Sequence, residues 1–264
     1  MTPSTAVPSL PPPRPDEVHL WAVEPERIHA PGLLAAYQAM LCAEERERHQ
    51  RFRFEKHRHQ FLVSHALVRV VLSRYLSLPP AHWRFSKNAY GRPELSAGEG
   101  LPPLRFNLSH TDGMAVCAVA LGLDVGADVE NASRPGQTVE LADSFFSPSE
   151  ARALRAQPPE LQRERFFDYW TLKESYIKAR GAGLSLPLDQ FAFHLEPGAP
   201  PRISFDARME DEPEAWQFVQ VRLSAEHPAA VAVRRARGLP LSVRCQRTVP
   251  LGEDGPVWWL PPRP

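Results

Sequence analysis

Two stretches decide how this chain is read: RFFDYWTLKESYIKAR (Arg165–Arg180), closed by Gly181 and Gly183, and VGADVE (Val125–Glu130). The first reads as a strong helix with glycines at its C-terminal end. Phe167, Trp170, Glu174 and Ile177 fall at helical spacing on one face, so Glu174 lies within an apolar stripe. A carboxylate there is costly to bury unless it is paired or ligates a metal. The plain alternative is a salt bridge to Lys178, four residues on.

The second stretch reads as a strand. Period 2 puts Asp128 and Glu130 on one face and turns Val125, Ala127 and Val129 the other way, into a core. Two carboxylates on one face repel unless a cation compensates, and a hard cation such as Mg²⁺ prefers a few carboxylate oxygens. The plain alternative is a solvated strand edge. Lys173 and Lys178 flank Glu174 in a chain with only four lysines, the others being Lys56 and Lys87. A metal with a lysine beside it is a usual way to stabilise phosphate charge during transfer.

Outward from these stretches, FFSPSEARAL carries Ser147, Pro148 and Glu150 in the order of a helix N-cap, N1 and N3, a capping box. FAFHL, WQFVQVRL and AAVAVRRA read as antiparallel strands. Upstream, VHLWAV alternates like a strand, and residues 33–78 read as mostly helical. WRFS leads to the turn NAYGRP, and LRFNLSH with MAVCAVAL predicts a hairpin over residues 104–121. Each half combines helices with antiparallel strands, an α+β pattern joined near residues 121–125.

The expected organisation has four parts. Residues 1–15 are a Pro-rich lead-in, disordered or extended. Residues 16–122 and 123–238 are two α+β halves. Residues 239–264 are a Pro-rich tail, draped on the body or disordered.

Composition excludes several classes. The 264 residues are 43% hydrophobic and 23% charged, with 31 basic and 31 acidic side chains, so net charge gives no support for nucleic-acid or membrane binding. Cys42, Cys117 and Cys245 form no CxxC pair, against a disulfide framework or a zinc site. Cys117 reads as a small buried hydrophobe. No signal-peptide pattern opens the chain, and Met114–Leu123 is about half the length of a membrane span, so a cytoplasmic setting is expected.

The polar cluster NLSHTDG offers Asn107, Ser109, His110 and Asp112. A Ser–His–Asp triad is set aside because the residues stand too close in sequence to face one another, and a phosphate-binding His110 fits better. The basic run Arg46–Gln60 is either a solvated helix face or an anion site using Arg48, Arg51, Arg53 or Arg58.

NLSHTDG (107–113), VGADVE (125–130), FFSPSE (145–150) and FFDYWTLKESYIKARGAGLSLPLDQF (166–191), in that order, resemble the 4′-phosphopantetheinyl transferases of the surfactin-synthetase-activating (Sfp-like) type. The resemblance spans roughly residues 18–235. It implies a pseudo-dimer of two similar α+β halves, each a small antiparallel sheet packed with helices, with the active site in the cleft between them. It implies transfer of the 4′-phosphopantetheine arm of coenzyme A to a serine hydroxyl of an apo acyl or peptidyl carrier protein, releasing 3′,5′-ADP.

The same resemblance implies Asp128, Glu130 and Glu174 as ligands of Mg²⁺, with Mn²⁺ as an alternative, and Glu174 as general base. Lys178 and His110 match contacts to the coenzyme phosphates and count with Glu174 as catalytic residues. Ser109, Lys173, Asp128, Arg92 in the YGRP turn and Arg48 complete the coenzyme set. Glu45 departs from the family, where a basic residue is usual, so Arg53 or Arg58 is expected to help bind the 3′-phosphate. A monomer that binds neither nucleic acid nor membrane is expected. A non-catalytic binding module and a metal-dependent nuclease are the competing readings. The carrier served, of fatty-acid, polyketide or nonribosomal-peptide synthesis, is not written in these motifs.

Overall fold

A computed structural model of the chain describes residues 7–96, 102–136, 138–183, 186–234 and 241–260. The expectations for residues 1–6, 235–240 and 261–264, and for Leu184 and Ser185 of the motif block, fall outside these.

The chain opens with β1 (Glu17–Val23), then α1 (Pro31–Met40), α2 (Ala43–Arg51) and the long α3 (Glu55–Tyr75). Two three-residue strands, β2 (Phe85–Lys87) and β3 (Pro93–Leu95), flank the turn in which Gly91 takes φ 84°. The hairpin β4 (Leu104–Thr111) and β5 (Met114–Leu121) follows, then β6 (Val125–Val129). The second half continues with α4 (Ala142–Phe145), α5 (Pro148–Arg155) and the long α6 (Pro159–Arg180). It ends in β7 (Phe191–His194), β8 (Arg202–Phe205), β9 (Trp216–Arg222) and β10 (Pro228–Arg234), after which come β11 (Ser242–Thr248) and β12 (Asp254–Leu260).

The strands make a five-stranded sheet, β12-β11-β1-β5-β4, a three-stranded sheet, β6-β10-β9, and two small ribbons. Alternation along the strands explains how they stack. From β1 and β5, Trp21, Val23, Ala115, Cys117 and Val119 pack with α3. Val18, Leu20, Ala22, Val116 and Ala118 point the other way and meet Val125, Ala127, Val129 and Val231 of the second sheet. The far face of that sheet, with Ala230, Ala232 and Phe218, packs on α6. The molecule is thus four layers, helix, sheet, sheet, helix, and both faces of every central strand are covered. This is the α+β arrangement of two halves, each a sheet backed by one long helix.

Two details depart from expectation. The first sheet is mixed, because β11 pairs with β1 in parallel, Leu20 opposite Cys245. Residues 241–260 are therefore no draped tail but two strands of the N-terminal half. Val243 and Cys245 are fully buried, and Pro256 is tolerated because β12 is an edge strand, where a missing N–H breaks no ladder. Arg74 at the end of α3 locks this hairpin by two hydrogen bonds to Asp254, 2.5 and 2.9 Å. The described part of the lead-in has no regular structure but is pinned, Leu10 N–H donating to the Arg74 carbonyl at 2.6 Å. Among the described residues no helix is long and apolar enough to cross a membrane.

Candidate active site

The site forms where β4, the edge of the first sheet, meets β6, the edge of the second. Two β4 side chains substitute for a neighbouring strand. Asn107 Oδ1 accepts the Ala127 N–H at 2.9 Å, and Ser109 Oγ accepts the Val129 N–H at 3.3 Å. The face of β6 carrying Gly126, Asp128 and Glu130 looks at α6. A Cβ on Gly126 would stand 2.0 Å from the Ser175 carbonyl oxygen and 2.4 Å from the Ala179 nitrogen. Glycine here allows the helix backbone to lie directly on the strand, which brings Glu174 and Lys178 beside the strand carboxylates.

Lys178 Nζ donates to Asp128 Oδ1 at 2.6 Å and to Ser109 Oγ at 3.0 Å, and the Ser109 hydroxyl donates to the same Asp128 oxygen at 2.8 Å. Asp128 is 4% exposed, and its second oxygen, Oδ2, is buried without a partner. An unpaired buried carboxylate oxygen is costly, so the site is built to receive a positive or hydrogen-bonding group there. Glu130 pairs with Arg134 Nη1 at 3.0 Å and is held by the Trp170 indole. Burial first, and the Asp128 charge second, push its carboxyl up to about 7. Burial likewise raises Glu174, with Asp128 adding to the rise and Lys178 opposing it. The plain reading of Glu174 as the partner of Lys178 gives way, since Lys178 reaches across to Asp128.

A cavity of about 350 Å³ opens beside this cluster, between α2, α3, the β2–β3 ribbon and β4. Its walls include Phe61, Trp83, Phe85 and Phe106, and its polar rim includes Arg48, His65, Lys87 and His110. His110 faces solvent at the mouth. Desolvation, then Lys178, His65 and Arg48, hold its imidazole below the usual range, as expected where cations converge. Such a rim with apolar walls suits an anionic ligand bearing a flat ring.

The structure thus gathers Asp128, Glu130, Glu174, Lys178, Ser109, His110 and Arg48. It does not gather the rest. Lys173, expected at the coenzyme, is fully buried in an ion pair with Glu150 at 2.8 Å and donates to the Leu188 and Phe191 carbonyls. Successive residues on a helix diverge by about 100°, so Lys173 faces α5 and β7 when Glu174 faces the cleft. Arg92 is also otherwise engaged: its terminal nitrogens donate to the Ala179 and Val125 carbonyls at 2.9 and 3.1 Å, strapping the β2–β3 ribbon to the second half. Arg53 packs on the Phe54 ring, and Arg58 bonds Glu55 and the Phe52 carbonyl, so neither lines the cavity.

Glu45, which stands where a basic residue is usual in the family, is neutralised internally. His65 Nδ1 and Arg69 Nη2 lie 2.8 and 2.6 Å from its oxygens. Burial would raise this carboxyl, but the His65 and Cys42 hydrogen bonds and the charges of His65 and Arg69 outweigh it and hold it at about 2. Sequence reasoning missed Arg134, His65, Arg69 and the polar use of Trp170. For Trp170 a signal exists: it stands four residues before Glu174 and eight before Lys178, on the same stripe.

Residues 124–232 match the model of the 4′-phosphopantetheinyl transferase superfamily, and residues 30–121 match that of the 4′-phosphopantetheinyl transferase N-terminal region. The chain is 34% identical over 218 residues to the 4′-phosphopantetheinyl transferase HetI of Nostoc, an alignment covering 83% of this chain and 88% of that one. It is 36% identical over 159 residues to the 4′-phosphopantetheinyl transferase Sfp of Bacillus subtilis, covering 60% and 68%. It is 30% identical over 211 residues to the human L-aminoadipate-semialdehyde dehydrogenase-phosphopantetheinyl transferase, covering 74% and 67%. With both halves matched in tandem and the charged cluster lying on the seam between them, the chain belongs to the 4′-phosphopantetheinyl transferase superfamily.

Proposed function

We propose that this transferase moves the 4′-phosphopantetheine arm of coenzyme A to a serine hydroxyl of an apo carrier protein, with Mg²⁺, releasing 3′,5′-ADP. The observation that carries the proposal is the buried, unpartnered Asp128 Oδ2 beside two further carboxylates of raised proton affinity. Among the described residues no three such side chains are drawn to one point, and Lys178 and Arg134 pair with Asp128 and Glu130. The donor chemistry nonetheless suits a hard divalent cation, and Asp128, Glu130 and Glu174 would hold it. When bound, such an ion neutralises charge on the departing pyrophosphate oxygen.

The chain's own groups account for the remainder. The cavity takes the nucleotide part of coenzyme A, its rings covering the base and Arg48 and His110 meeting phosphate. Lys178, one helical turn beyond Glu174, donates to a phosphate oxygen as charge develops. Glu174 accepts the proton from the carrier serine, and its burial beside Asp128 raises its proton affinity in the free protein. The serine Oγ–P bond forms while the P–O bond to the nucleotide breaks, and the electrons of that bond leave with 3′,5′-ADP.

The test is to incubate the protein with coenzyme A, Mg²⁺ and a panel of apo carriers, and to follow carrier mass and 3′,5′-ADP together. One phosphopantetheinyl group gained per carrier with equimolar 3′,5′-ADP is expected. Glu174→Gln, folded by circular dichroism, is expected to transfer at least a hundredfold more slowly. Full turnover by that variant removes Glu174 from the base role, and no mass gain on any carrier removes the activity.

A further inference from the structure

Arg134 is placed with more care than an incidental surface cation. Its guanidinium meets Glu130 at 3.0 Å and stands 5.2 Å over the Phe167 ring of α6. Arg163 occupies the same ring from 5.5 Å. Arg163 also gathers the loop after β6, donating to the carbonyls of Ala132, Arg134 and Gly136 and to Thr138 Oγ1. The Arg134 backbone is thus pinned, its side chain rests on an aromatic face, and its charge is delivered to one carboxylate. Lys178 is delivered to the other strand carboxylate in the same way.

We infer that Arg134 is a positioning residue that acts as a built-in counter-cation for Glu130: it competes with the divalent ion in the free protein and makes metal entry depend on the donor substrate. This rests on the metal reading above. With Asp128 and Glu130 each already facing a positive side chain, a lone divalent ion meets a compensated site. The polyphosphate of the donor adds negative charge and draws the ion in, and the guanidinium gives up Glu130. The coupling is reciprocal, so the metal tightens the donor by the factor by which the donor tightens the metal.

The experiment measures Mn²⁺ affinity by calorimetry and paramagnetic resonance at pH 8.5, where proton competition is least, with and without coenzyme A. Wild type, Arg134→Gln and Arg134→Lys are compared, each checked for folding by circular dichroism. Arg134→Gln is expected to bind Mn²⁺ alone about tenfold more tightly than wild type, with a correspondingly smaller gain on adding coenzyme A. Arg134→Lys keeps the charge and is expected to stay within about threefold of wild type. Equal or weaker Mn²⁺ binding by Arg134→Gln overturns the inference while leaving the metal reading intact. A wild-type protein that binds no Mn²⁺ even with coenzyme A overturns both.

Discussion

At the scale of single residues, the site is a set of carboxylates whose environments pull them in opposite directions. Glu130 titrates at about 7 against an ordinary 4.5. Between those values the folded chain keeps a proton that the unfolded chain has lost, so stability falls as pH rises through this window, by no more than about 3 kcal/mol. Urea titrations of metal-free protein from pH 4.5 to 7.5 should show this fall, and Glu130→Gln should flatten it. Glu45, held at about 2, has the opposite sign. Its contribution is present above pH 4.5 and is lost as pH drops towards 2. Glu45→Gln strips the fully buried Arg69 of its counter-charge and should cost about 3 kcal/mol at pH 7 by the same titration. The shared placement of Asp128, Glu130 and Glu174 was legible in the sequence because a strand's period of two and one helix face suffice to place them. Lys173 was misread because sequence proximity to Glu174 hides the angle between neighbours on a helix. Arg134 was not legible, since its partner is chosen by a loop that Arg163 folds.

At the scale of elements, the contact of α6 with β6 sets the site's dimensions, and one missing methyl group permits it. Gly126→Ala places a Cβ against helix backbone that cannot yield as a side-chain tip could. It should cost about 3 kcal/mol or more in thermal unfolding and abolish transfer, because Glu174 and Lys178 move off with the helix. Gly32→Ala, in the first turn of α1 with nothing near its added methyl, is the control and should stabilise by about 0.5–1 kcal/mol. Local chemistry made these elements readable. The Ser147–Glu150 capping box forms as its spacing indicates, with Glu150 Oε2 accepting the Ser147 N–H at 2.9 Å. That Glu150 also serves as the anchor of Lys173 and accepts the Phe193 N–H at 2.9 Å required the fold.

At the scale of the whole molecule, the two halves meet through the apolar faces of their sheets, and short polar links add to that contact. Asn88 donates to the Gly181 carbonyl at 2.8 Å, and His227 Nε2 bonds the Asp112 carbonyl at 2.9 Å. The last hairpin closes the first sheet. Asp254→Ala leaves Arg74, 2% exposed at its side chain, without a carboxylate and should lower stability by about 2–3 kcal/mol in urea unfolding. β11 and β12 were illegible as strands because Pro240 and Pro250 beside them and Pro256 within β12 read as coil, and because β1, the strand that β11 pairs with, lies at the far end of the sequence.

That pairing has a consequence for the order in which the protein is made. Leu20 and Cys245 are neighbours in the sheet, yet a ribosome produces them roughly two hundred residues apart. While the chain is still emerging, β1 has one bare flank and Arg74 lacks its carboxylate. The second half, whose β6, α6, β9 and β10 are all contiguous, can close first. The first half stays unfinished until residues 242–260 have been made, so a nascent chain arrested around residue 240 should be caught by proteases and chaperones in its N-terminal half alone.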